Sequence, residues 1–177
     1  LRRQRQMCIR DSCYVVAGVV GELLTTIFGH HSPEFAQRIR GKERLALAFG
    51  QALQMTNILK DSPEDSARGV SWKPAQMSQT ELLKIAYEKL QDSLHYIILI
   101  PKKEVGIRRF CFLAFGLAVM TLEKIVARQE LSDQASVKLS RNTVWIFYGF
   151  TKLAASNDFL MKSFFYATSR CLRRLAE

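Results

Sequence analysis

The chain has 177 residues, 48% of them hydrophobic, with 26 lysines and arginines against 16 aspartates and glutamates. That length suits one domain with a substantial core, and a formal charge of +10 favours anionic partners such as diphosphates, lipid headgroups or nucleic acid. Nucleic acid is set aside because aromatic residues are not interleaved with basic ones and no recognition motif occurs. Four cysteines without a C-x-x-C pair suit a reducing compartment and argue against a zinc site.

Residues 1–12 stand apart from the rest of the chain. Met7-Cys-Ile-Arg-Asp-Ser12 is what ATG-TGT-ATA-AGA-GAC-AG encodes, the end sequence of a transposase used to prepare sequencing libraries. These twelve residues are expected to be translated adaptor on a truncated gene, and are excluded from the fold. They hold four arginines and one aspartate, so +7 of the +10 belongs to residues 13–177.

From there the periodicity is helical throughout, with no strand alternation. A first helix over 13–29 contains the small residues Ala17, Gly18 and Gly21, which let a neighbour or ligand come close. Gly29-His-His-Ser-Pro33 reads as a turn. A long helix runs from Glu34 to an acidic stretch near residue 65, then a loop over 66–77. Ser78-Gln-Thr-Glu81 is a capping box, in which serine and glutamate satisfy each other's free backbone N–H groups. It opens a helix that stops at Pro101. Helices over 103–128, 132–154 and 158–174 complete six. No linker divides them, so residues 13–177 read as part of a single all-α domain. The longest nearly uncharged run, Phe110 to Leu122, is about half a bilayer span and reads as a buried helix, with Phe112, Phe115 and Met120 as core. His30, His31 and His95 have no partner at metal-ligand spacing. The tail Arg170-Cys-Leu-Arg-Arg-Leu175 is basic and amphipathic, which suits either a solvated helix end or a membrane surface.

The chemistry concentrates in Gln54-Met-Thr-Asn57-Ile-Leu-Lys-Asp61-Ser-Pro-Glu64-Asp65. Positions 54, 57, 61 and 65 fall along one helical face. Two carboxylates one turn apart, preceded by two amides, suit a hard cation such as Mg²⁺, which takes few protein carboxylates and keeps places for water and phosphate. The plain alternative is a solvated acidic helix end.

Phe49-Gly-Gln51-x-x-Gln54-x-x-Asn57-Ile-Leu-Lys-Asp61-x-x-Glu64-Asp65, followed by Arg68-Gly69-x-x-Trp72-x-Pro74, resembles the second aspartate-rich signature of the squalene/phytoene synthase family. Cys13-Tyr-Val-Val16-Ala-Gly18-Val-Val-Gly21 is similar to that family's other signature. Similarity extends through Ile107-Arg-Arg-Phe-Cys111, and residues 105–125 resemble bacterial squalene synthases more than phytoene synthases.

The resemblance implies an isoprenoid-synthase-type helical bundle lacking its N-terminal helices. It also implies an activity for the intact parent, the head-to-head joining of two prenyl diphosphates (farnesyl diphosphate giving presqualene diphosphate and squalene). Phytoene or dehydrosqualene formation is the alternative. Asp61 and Asp65, assisted by Glu64, would bind Mg²⁺ bridging to diphosphate. Gln54 and Asn57 would hold the diphosphate or its water shell. Val16, Ala17, Gly18 and Gly21 would line the prenyl channel. NADPH is implied if squalene is the product, although no glycine-rich nucleotide motif is present. A bacterial cytoplasmic protein, with peripheral membrane association, is the expected setting.

Several positions depart from the family pattern. Lys60 replaces an arginine and loses its bidentate fork, Ser62 replaces an apolar residue, and Pro63 enters the motif. A second D-x-x-x-D is missing, so the chain itself is expected to be inactive. Motif erosion of this kind would also mark a non-catalytic assembly factor of the same fold.

Overall fold

The computed structural model describes residues 17–69, 77–130 and 137–176. They form eight helices: α1 Val19–His31, α2 Pro33–Ile39, α3 Arg44–Ala67, α4 Gln79–Leu99, α5 Val105–Glu130, α6 Arg141–Ala154, α7 Asp158–Thr168 and α8 Arg170–Ala176. No strand occurs among the described residues, as the periodicity predicts. Helices α3, α4 and α5 pack on one another at the centre. α1 and α2 lean on α3 and α4, while α6, α7 and α8 gather around α5. Residues 1–12, Val16 and the 70–76 part of the motif loop lie outside the described residues.

Eight helices replace the six expected because two long ones are broken. The first break comes after Ile39. Arg40 is extended (φ −54°, ψ 130°), Gly41 takes φ +73°, and the Lys42 N–H reaches the Ile39 carbonyl at 2.9 Å. This is a type II turn, whose third position favours glycine because a Cβ is strained there. The second break is at Ser169, after which the N–H groups of Cys171 and Leu172 meet the Glu123 carboxylate at 2.8 and 3.1 Å. A tertiary carboxylate thus satisfies the free N–H groups of a new helix start.

Two further boundaries differ from expectation. Helix α1 runs on through His31, so the histidines form its last turn, and His31 Nε2 lies 3.4 Å from Glu104. Helix α6 begins at Arg141 and not near 132, because Ser140 is extended and its Oγ accepts from the Thr143 N–H as a cap. The Ser78–Glu81 capping box forms as expected. Pro63 does not end its helix, which continues to Ala67.

Helix α5 is the apolar axis. Over Val105–Arg128 it is long and apolar enough to cross a membrane on length and composition alone, contrary to the shorter run expected from sequence, yet 56% of that apolar window is buried inside the bundle. Phe112 and Phe115 are fully buried, and Phe112 meets Phe147, Phe150 and Phe164 with ring centroids 5.6–6.3 Å apart. The core reading of the two phenylalanines therefore holds. Helix α8 turns Leu172 inward and packs Leu175 against the core, so the apolar side of the basic tail faces the protein.

Helices α1 and α3 cross at very close range. A Cβ on Gly21 would stand 2.2 Å from the Ala46 carbonyl oxygen, and one on Gly50 would stand 2.0 Å from that of Ala17. Both distances lie inside van der Waals contact. Residues 17–21 and 46–50 thus pack directly on each other, backbone to backbone.

Candidate functional site

A cleft of about 630 Å³ opens between α3, α5 and the segment leading into α6. That volume lies within the on-the-order-of 300–1,000 Å³ usual for small-ligand sites. Helix α3 supplies its polar edge with Asn57, Lys60, Asp61 and Glu64, and adds Leu53 and Thr56 deeper in. Helix α5 supplies the opposite wall with Ala114, Leu117, Ala118 and Thr121. Positions 114, 118 and 121 recur at helical spacing, and their small side chains leave the space open. Val137, Lys138, Leu139 and Val144 close the third side. The hydroxyls of Thr56 and Thr121 donate to the carbonyls of Ala52 and Leu117 (2.8 and 2.7 Å). Neither hydrogen is therefore left for a ligand, and the interior is effectively apolar beneath a charged mouth.

The mouth carries both signs of charge. Lys60 Nζ lies 3.3 Å from Asp61 Oδ1, and Lys138 Nζ lies 3.9 Å from Glu64 Oε1. All four side chains are between 38% and 80% exposed, and exposed pairs of this kind contribute about 0–1 kcal/mol to folding. The arrangement is loose enough for a ligand to rearrange.

Of the residues selected from sequence, Asn57, Asp61 and Glu64 meet in this cleft. Gln54 and Asp65 are half-buried on the same helix but lie off the lining, which takes Leu53, Thr56, Asn57, Lys60, Asp61 and Glu64 from it. A prenyl-channel role for Ala17, Gly18 and Gly21 remains an expectation of the resemblance, and the structure adds what these residues touch. It sets Ala17 and Gly21 at the α1–α3 crossing and buries Gly18 beside Gly50; their small size is accounted for by that helix contact. Sequence reasoning missed the alanines of α5 and Lys138. A small-residue stripe at 114, 118 and 121 is a visible signal for the former, whereas Lys138 stands inside a stretch expected to be helix.

The adjacent arginines Arg108 and Arg109 do something different. Arg108 is wholly buried. Its guanidinium donates to the carbonyls of Ile100 (2.6 Å) and Ala155 and to the Asp158 carboxylate. It therefore ties the ends of α4 and α6 to the start of α7. Arg109 lies 4.3 Å over the Tyr148 ring and donates to Thr151 Oγ1 at 3.2 Å.

Residues 10–86 match the squalene/phytoene synthase family. A squalene synthase of Gibberella zeae is 27% identical over 152 residues, covering 73% of this chain and 32% of that protein. A squalene synthase of Cyberlindnera jadinii is 28% identical over 158 residues, 74% of this chain and 34% of its own. Chloroplastic phytoene synthase 2 of Solanum lycopersicum is 44% identical over 62 residues, 35% of this chain and 20% of its own. The comparisons thus support a likeness to the squalene/phytoene synthase family, and the chain spans about a third of the length of the squalene synthases it matches.

Among the described residues no cluster of three or more His, Cys, Asp or Glu side chains could cage a metal ion alone. Two carboxylates beside an amide in an open cleft nevertheless fit Mg²⁺ in the way that ion is commonly held, through one or two carboxylates with water and phosphate completing its shell.

Proposed function

We propose that this chain carries a diphosphate-holding site of a synthase that joins two prenyl diphosphates head to head. The observation that supports the reading is the cleft itself, in which Asn57, Asp61 and Glu64 rim an apolar chamber. In such a reaction one prenyl diphosphate loses its diphosphate to give an allylic cation, the double bond of the other attacks it to give a new cation, and loss of a proton from that cation closes a cyclopropane. Asp61 and Glu64, with Asp65 beside them, would hold Mg²⁺, which when bound neutralises charge on the departing diphosphate. The Asn57 amide donates a hydrogen bond to a phosphate oxygen or its water. Ala114, Leu117 and Ala118 keep water from the cation.

Farnesyl diphosphate going on to squalene is the favoured substrate and product. The similarity to squalene synthases runs through nearly three quarters of the chain, whereas that to phytoene synthases is confined to about a third. NADPH would then serve the reductive second step. With one D-x-x-x-D motif in its sequence, the chain itself is proposed to bind diphosphate without turning it over.

Calorimetry with inorganic pyrophosphate, with and without Mg²⁺, tests the site. Binding that needs Mg²⁺ and is lost in Asp61→Asn supports it; a folded chain that ignores pyrophosphate under both conditions sinks it and favours a non-catalytic role. Turnover of farnesyl diphosphate by this chain would overturn the proposed inactivity.

A further inference from the structure

The third wall of the cleft is a short non-helical segment, residues 137–140, and it is fastened at three points. Val137 is buried. Lys124 Nζ donates to the Lys138 carbonyl at 2.6 Å. Ser140 Oγ accepts from the Thr143 N–H at 3.1 Å and shares a hydrogen bond of 2.8 Å with the Thr143 hydroxyl. The backbone of Lys138 is therefore fixed while its side chain, 80% exposed, reaches over the mouth to Glu64. Such a pair, at 3.9 Å and open to water, does little for the fold. A lysine ammonium is a compact charge on a flexible stem and exchanges partners readily. It also stands opposite Asp61 and Glu64, so any phosphate held at those carboxylates lies between the two sides.

We propose that Lys138 is an anion-holding residue of the cleft: Glu64 keeps its ammonium in place when the site is empty, and it moves onto a phosphate oxygen of the bound diphosphate. The inference rests on the diphosphate reading of the cleft, but adds a residue from outside both signature segments and outside the matched 10–86 region. Its chemistry is charge-assisted hydrogen bonding to an oxyanion, with no bond made or broken.

The test is calorimetric titration of the intact chain with inorganic pyrophosphate in the presence of Mg²⁺. Lys138→Met is expected to weaken binding about tenfold, the worth of one charged hydrogen bond, with Lys138→Arg recovering most of the loss. Lys162→Met, an exposed lysine on α7, controls for overall charge. All variants are expected to melt with the parent chain.

Equal affinity of Lys138→Met and the parent overturns the inference while leaving the diphosphate reading intact. An equal loss in Lys162→Met also overturns it, since bulk charge is then sufficient. A folded parent chain that binds no pyrophosphate removes both readings together.

Discussion

Two charged clusters stand in this bundle, and they are built on opposite terms. Around Arg108 the charge is fully buried, and the guanidinium is held by two carbonyls and a carboxylate from three helix ends. At the cleft mouth the charges are exposed, and the cross-cleft pair stretches to 3.9 Å. A buried ion with its partners in place is costly to disturb, because removing one partner strands the others away from water. An exposed, loosely paired set costs little to rearrange, which is what a site that must admit a charged ligand requires. The first cluster fixes the fold, and the second is available for chemistry.

Substitution at Arg108 is the most severe way to probe that contrast. Arg108→Met leaves the carbonyls of Ile100 and Ala155 without their donor and Asp158 with Lys102 alone, and is expected to cost about 2–5 kcal/mol from the unpaired buried acceptors, read by urea denaturation. A loss below about 1 kcal/mol, the surface-pair level, would erase the distinction.

Next in size is Gly50→Ala. Helix propensity favours alanine by about 1 kcal/mol, but the new Cβ meets the Ala17 carbonyl at 2.0 Å, and such overpacking costs about 1–3 kcal/mol. A lower melting temperature is expected, and a rise would show that α1 stands further off.

Alkaline pH gives the third probe. Burial pushes the Cys111 thiol from 9.0 up to about 12 and raises the Tyr96 hydroxyl above its ordinary value despite its bond to Thr25. Both groups keep their protons in the fold and lose them more readily when unfolded. Stability is therefore complete below about pH 8.5 and falls as pH rises from there towards the folded values, visible as an earlier denaturation midpoint.

Ser78→Ala removes the cap of α4 and should cost about 1 kcal/mol. Smallest in stability is Asp61→Asn at the mouth, expected to stay within about 0.5 kcal/mol while abolishing Mg²⁺-dependent pyrophosphate binding. If Asp61→Asn destabilises as much as Arg108→Met, the mouth is structural after all.

How much was legible varies by element. The Ser78–Glu81 cap was readable because a capping box is local: its two side chains answer backbone groups three residues away. Asn57, Asp61 and Glu64 were readable because helical spacing alone brings them near one another. Gln54 and Asp65 share that spacing, but which stripe borders a cleft depends on where α5 and the segment before α6 come to lie. The Ser169 break depends on Glu123, 46 and more residues earlier in the chain, and nothing near Ser169 announces it.

By itself, then, the sequence determined the all-α class, through periodicity, and the chemistry of one helix, through residue types at fixed spacing. Only the tertiary structure decided that Gly21 and Gly50 serve a helix crossing, that Arg108 locks three helix ends, and that Lys138 faces Glu64. The reason is range. Helical rules reach about four residues, whereas each of these relations joins groups far apart in the chain, brought together by burial of the apolar axis α5 and the helices packed on it.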